Sequence, residues 1–363
     1  MTISKQVFVS FPPVKALRQF RWRAHAVSGL LPKALVAASE RHPALARLVR
    51  RLTGIGGDEA RWHRAAYGFT ENEFCCYGFS GLTPEERLNF LSDRESVLLS
   101  YLVNDLDAMR VFSDKRQTYL QFREAYGREA LFVASPEDRG ALECFLRRHP
   151  VCTVKPVVGA CGKGIRQIDA SSCSDVQLLF DSLPEKGSML LEETIRQSGE
   201  MASFHPASVN TVRVVTFVSD GKPALLWAFL KTGRGGSFTD NGASGGIMAG
   251  IDLCGGRVVT SGVDEAGTRY ARHPDTGVPF VGFAVPEWDD LRRRCRSLAS
   301  ILPQVRLVGW DMAHTASGWI VVEGNAQPEM IGPQATFGKG MRRDVLSLLQ
   351  KERISVNAFR RNG

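Results

Sequence analysis

The sequence predicts an α+β protein: a mostly helical N-terminal region, 1–107, ahead of two α/β subdomains, 108–195 and 196–363. Three observations predict it. Helix-like and strand-like segments alternate between 113 and 192, strand pairs dominate after 208, and the segment before 108 reads mostly helical. With 363 residues and 44% apolar content, the chain is long enough for two or three cores of ordinary size.

In the first region Thr83-Pro84-Glu85-Glu86 is a helix start, with Thr83 as cap, Pro84 in the first turn and Glu86 completing a capping box. The second opens with a helical stretch over 113–125. Strand 130–134, helix 138–148, strands 151–158 and 166–169, helix 174–183 and strand 188–192 follow, the alternation of a small α/β subdomain. In the third, 208–219 and 224–232 form a hairpin about Asp220-Gly221-Lys222-Pro223. A glycine-rich passage over 233–256 then leads to a strand at 257–261 and an amphipathic helix at 287–302. A second hairpin at 309–325 precedes a closing helix over 339–350, and no internal repeat is visible.

Composition excludes several classes. No stretch approaches the roughly eighteen apolar residues that span a bilayer, and the first twenty residues lack the pattern of a secretory leader. The expectation is a cytoplasmic protein. Eight cysteines without a Cys-x-x-Cys pair indicate neither a disulfide framework nor zinc. The charge is uneven: residues 1–70 hold twelve Lys or Arg against three acids, more than the whole-chain excess of +8. Such a segment reads either as the solvated face of a helical domain or as a contact with an anionic membrane surface. No nucleic-acid-binding pattern accompanies it, and nothing fixes the oligomeric state.

The second hairpin carries the sharpest signal. Folded about 314–318, it sets Asp311 opposite Glu323, with Asn325 on the same face by the period of two. Like charges across a strand pair are destabilising, so a cation is the simplest reason to hold them there. Oxygen ligands alone point to magnesium, which binds through one or two carboxylates plus substrate phosphates. The chain should therefore hold phosphate binders. Upstream, a strand-like run ending at Lys155-Pro156-Val157-Val158 leads into Gly159-Ala160-Cys161-Gly162-Lys163-Gly164-Ile165, a loop of unhindered backbone N–H groups. It is neither a Walker loop nor a Gly-x-Gly-x-x-Gly turn. Arg213 lies inside the apolar run 209–217, where a guanidinium needs an anionic partner, either a carboxylate or a phosphate.

Lys155-Pro156 with the loop, Leu190-Leu191-Glu192-Glu193-Thr194-Ile195, Ser208-Val209-Asn210-Thr211-Val212-Arg213, Gly309-Trp310-Asp311 and Glu323-Gly324-Asn325 resemble the ordered motifs of an ATP-grasp enzyme. The last three segments most resemble the sugar-transfer-associated ATP-grasp family, and the resemblance runs over 104–334. It implies the ATP-grasp fold, two subdomains clasping ATP. Lys155 would bind the α-phosphate, Lys115 would do similar work, and Gly159, Gly162, Lys163 and Gly164 would close over the outer phosphates. Glu192, Glu193 and Ile195 would form the adenine hinge, with Glu200 as a ribose ligand. Asp311, Glu323 and Asn325 would hold two magnesium ions.

Lys155 and Arg213 would be the catalytic pair, Arg213 gripping the γ-phosphate or an acyl phosphate. Asn210 would help there or cap the turn after Pro206. Lys231, Arg234, Asn241, Gly245 and Gly246 are candidates for the acceptor side. The implied activity is an ATP-dependent ligase that activates a carboxylate as an acyl phosphate and joins it to an amine, releasing ADP and phosphate. Polysaccharide or natural-product biosynthesis is the implied setting. The alternatives are a phosphotransferase acting on a sugar or small molecule, and a non-catalytic nucleotide-binding scaffold.

Overall fold

The computed structural model describes residues 68–159, 164–171 and 188–359. The basic segment 1–67, the membrane contact expected of it, the helix expected over 174–183, and Gly162 and Lys163 lie outside the described residues.

Two antiparallel sheets organise the chain. The smaller has the order β1-β4-β2-β3, from β1 (Ala130–Val133), β2 (Val151–Pro156), β3 (Arg166–Asp169) and β4 (Met189–Glu193). Helix Arg139–Arg148 buries Leu142, Phe145 and Leu146 against Val133, Cys152, Val154, Ile168 and Leu191 of this sheet. The expected strands and this helix are therefore present, with ends shifted by a residue or two.

The larger sheet has the order β11-β10-β5-β6-β7-β8-β9. It comprises β5 (Thr211–Ser219), β6 (Lys222–Thr232), β7 (Ile247–Gly250), β8 (Gly262–Val263), β9 (Arg269–Tyr270), β10 (Leu307–Thr315) and β11 (Gly318–Asn325). Asp220 and Gly221, both at positive φ, make the tight turn between β5 and β6. No strand forms at 257–261; single bridges link Arg257 to Ala284 and Val258 to Ile251 instead.

Strand alternation divides the work of β5. Val212 and Val214 join the core beneath helix Trp288–Ile301, with Trp310, Met312, Leu291 and Cys295. On the opposite face Val215 and Phe217 pack with Leu99, Val103, Val345 and Leu349 from helices Asp93–Val103 and Arg342–Lys351. Arg213 is on that second face, farther along the strand. One end is thus sealed by apolar helices and the other carries charge.

Residues 68–107 share cores with the larger sheet's surroundings. Phe69, Tyr77, Phe79 and Phe90 pack with Val263 and Ala335. Gln334, fully buried, accepts from the Leu91 and Met341 amides and donates to the Tyr77 hydroxyl and the Leu91 carbonyl. The Thr83 capping box forms as expected. Another at Thr70 and Glu73 starts helix Glu71–Cys76, and Glu73 also accepts the Asp93 amide at 2.6 Å. Burial pushes the Glu73 pKa up to about 7 against those hydrogen bonds. A carboxyl raised on folding binds more protons in the folded state, so stability falls as pH rises from about 4.5 through 7. Thermal melts of Glu73→Gln are expected to lose a slope worth roughly 3 kcal/mol across that window; an unchanged slope refutes it.

Candidate active site

Strands β10 and β11 fix the acidic pair. Next to the turn Thr315 faces Gly318, and the count stays in step until Met312 faces Val321. A bulge then takes Val322 out of the pairing, so Asp311 faces Glu323 and Gly309 faces Asn325. Without the bulge Val322 would stand opposite Asp311, and Glu323 would turn to the other face. Glu323 is exposed; Asn325 is half-buried, its Oδ1 accepting the Gln327 amide at 3.0 Å.

Asp311 is 5% exposed and is paired directly with Arg213 of β5. The guanidinium donates from Nε and Nη2 to the two carboxylate oxygens, each at 2.6 Å, and Lys231 Nζ adds a third bond at 3.0 Å. Lys231 also stands 3.4 Å from Asp240 of the glycine-rich loop, whose carboxylate accepts the Thr211 hydroxyl. Burial alone pushes the Asp311 carboxyl up, but Arg213 and Lys231 outweigh it and hold it well below the usual range. For Asp240 burial wins, and its pKa rises.

One expectation is corrected here. The facing acids need no divalent ion to coexist, because side-chain cations already neutralise Asp311. Arg213 is held by a carboxylate, one of its two expected kinds of partner, since a buried guanidinium requires a partner whether or not nucleotide is present.

On the smaller sheet Lys155 of β2 and Glu192 of β4 form a buried ion pair. Arg128, in the turn before β1, reaches the other Glu192 oxygen at 2.9 Å. Burial raises the Glu192 pKa, yet Arg128 and Lys155 together leave it below its ordinary value. The Glu192 side chain is therefore spent on cations, which leaves only its backbone for hinge contacts. Lys115 begins helix Lys115–Gln121, capped by Asp114, and donates Nζ to the Gly159 carbonyl at 2.8 Å. Burial lowers its pKa, while Glu323 pulls the other way and Lys155 and Glu192 also act on it. Both lysines and the acid of β11 thus share one neighbourhood.

The remaining candidates divide. Gly164 has φ 77°, and a Cβ there would stand 2.9 Å from Pro156 Cγ, so the loop returns past Pro156 only with glycine. Glu193 and Ile195 are half-buried at and beyond the end of β4. Glu200 is exposed, in the short helix Gly199–Ala202. Asn210 is fully buried and donates to Gln197 Oε1, at 3.0 Å, and to the Met201 and His205 carbonyls, each at 2.9 Å. It ties down the turn. Arg234 pairs with Asp264 at 3.1 Å and bonds the Tyr270 hydroxyl. Sequence reasoning missed Arg128 and Asp240, which as charged residues in turns carried no signal.

The donor set fits magnesium and a polyphosphate. Among the described residues no three His, Cys, Asp or Glu side chains form a metal group. A carboxylate offers about four lone-pair sites; Asp311 uses three of them on Arg213 and Lys231, and one remains.

Among solved structures, the ATP-grasp ligase PsnB, complexed with a phosphomimetic variant of a minimal precursor, Mg and ADP, matches at 17% identity and TM-score 0.41. The match covers 68% of this chain and 62% of PsnB, less than two thirds of that protein's length. D-alanyl-alanine synthetase A from Vibrio cholerae O1 biovar eltor matches at 11% identity and TM-score 0.46, over 69% of this chain and 67% of that one. D-cycloserine synthetase DcsG matches at 17% and 0.42, over 71% and 79%. No curated protein matches. Among the described residues no helix is long and apolar enough to cross a membrane. The sequence profile of the sugar-transfer associated ATP-grasp proteins matches residues 101–350. With more than half its length matched, the chain belongs to the sugar-transfer associated ATP-grasp family.

Proposed function

We propose that the chain is an ATP-dependent ligase that activates a substrate carboxylate as an acyl phosphate and joins it to an amine. The observation that carries this reading is the bulged pairing of Asp311 with Glu323, an acid whose charge reaches Lys115. Bound with magnesium, ATP supplies a phosphoryl group that makes the carboxylate reactive. Asp311, Glu323 and Asn325 would hold the metal. Lys155 and Lys115 would orient the phosphates, and the backbone beyond Glu193 would receive the adenine edge. Arg213 and Lys231, as fixed cations in a buried place, would stabilise charge that builds up at the transferring group.

Charge balance supports two magnesium ions. Lys115, Arg128, Lys155, Arg213 and Lys231 are matched by Glu192, Asp240, Asp311, Glu323 and the nearby Glu329, so the cluster is close to neutral. A tetraanionic nucleotide entering a cluster close to neutral has to bring its own countercharge. The family's association with sugar transfer supports a carbohydrate-linked substrate.

The test is ADP release over pooled carboxylates and amines, with Glu323→Gln as the blank. ADP and free phosphate that require both a carboxylate and an amine are expected. ADP with a stable phosphoester identifies a phosphotransferase instead, and turnover that survives Glu323→Gln removes the site.

A further inference from the structure

Arg128 belongs to no motif, yet it touches both halves of the candidate site. Its guanidinium is 2% exposed and donates to Glu192 Oε1 at 2.9 Å, to the Tyr126 carbonyl at 3.1 Å and to the Val321 carbonyl at 2.5 Å, with a longer bond of 3.4 Å to Val322. Val322 is the residue that the β11 bulge removes from the pairing, and Val321 is its neighbour. Arg128 thus binds the carbonyls of the distortion that turns Glu323 toward Asp311. Through Glu192 it also touches the partner of Lys155.

The local chain is shaped for this approach. Gly127 has φ 57°, and a Cβ there would lie 2.7 Å from Ile320 Cγ2, so only glycine lets the turn run this close to β11. The Arg128 guanidinium lies 4.7 Å over the Tyr126 ring, which fixes its plane. The charge matters as well. If Lys155 alone balanced Glu192, its ammonium would be committed to that acid. With Arg128 in place the trio carries one net positive charge.

We infer that Arg128 is a positioning residue: it locks the β11 bulge that aims Glu323, and it frees the Lys155 charge for an anionic ligand. This rests on the magnesium-nucleotide reading of the site but assigns a residue which that reading does not need. Lysine cannot replace it, because one ammonium cannot serve a carboxylate and two consecutive carbonyls as a planar fork does.

The experiment measures ADP binding by calorimetry, in magnesium and in EDTA, for the wild type, Arg128→Lys and the neutral pair Arg128→Met/Glu192→Gln, with circular dichroism to verify folding. The wild type is expected to bind ADP more tightly in magnesium. Both variants are expected to lose that magnesium enhancement by about tenfold or more. In EDTA both are expected to stay within about threefold of the wild type, because Lys155 keeps its charge. A folded variant with the wild-type enhancement overturns the inference, and so does unfolding of both, which makes Arg128 a purely structural residue. Wild-type protein that binds no ADP defeats the nucleotide reading itself, a result distinct from either.

Discussion

Replacing Asp311 by asparagine is expected to destabilise the protein by about 3–5 kcal/mol, because it leaves two buried cations facing an uncharged amide. Arg213 and Lys231 make three hydrogen bonds to that carboxylate from positions 14% and 12% exposed. Thermal denaturation should show a fall of roughly 10 °C. The sign of the pH dependence follows from the depressed pKa. A carboxyl held low in the folded state stabilises above its unfolded pKa near 3.9, and that contribution is lost only as pH falls through the folded value. The gap between wild type and variant should therefore be flat from about pH 5 to 8 and close in strong acid. Adding Arg213→Met should recover part of the stability, since the pair is then removed together. A single variant as stable as the wild type would show that solvent or a nearby acid neutralises both cations.

Glu323→Gln is expected to behave in the opposite way. Glu323 is exposed, so its melting temperature should shift by no more than the ~0.5 kcal/mol typical of surface changes. Under the ligase reading, ADP binding should lose its dependence on magnesium, and turnover should fall by about 100-fold or more. The two acids face each other across one strand pair, yet one variant should break the fold and the other only the chemistry. Titration of magnesium into ADP-bound protein checks this; an unchanged magnesium response in Glu323→Gln would falsify the assignment of that carboxylate.

Much of the fold was legible in the sequence. Segments with a clear period or punctuation, such as the Thr83 capping box, the Asp220-Gly221 turn and the strands of the smaller sheet, appear within a few residues of where pattern places them. The pairing of Asp311 with Glu323 was legible too, although the reason given for it was incomplete. Counting from Thr315 and Gly318 puts Val322 opposite Asp311, and only the bulge corrects this. No residue type at 321–323 announces a bulge. Nor could periodicity reveal that Lys231, 80 residues upstream and two strands away, neutralises the acid. Ion partners across a sheet depend on strand order, and strand order is not written in any one strand. Arg128 was harder still, because a charged residue in a turn reads as solvated until tertiary contacts bury it.

The two-sided character of β5 has a consequence for how the protein keeps its chemistry. Val212 and Val214 are gripped by the apolar layer beneath one helix, while Arg213 between them serves the opposite side. A slip of one position would drive a guanidinium into oil and leave a valine facing the acid, at a cost in both places. The greasy side of the strand therefore proofreads the polar side, and a chain that has packed correctly has, by the same act, aligned its buried charges.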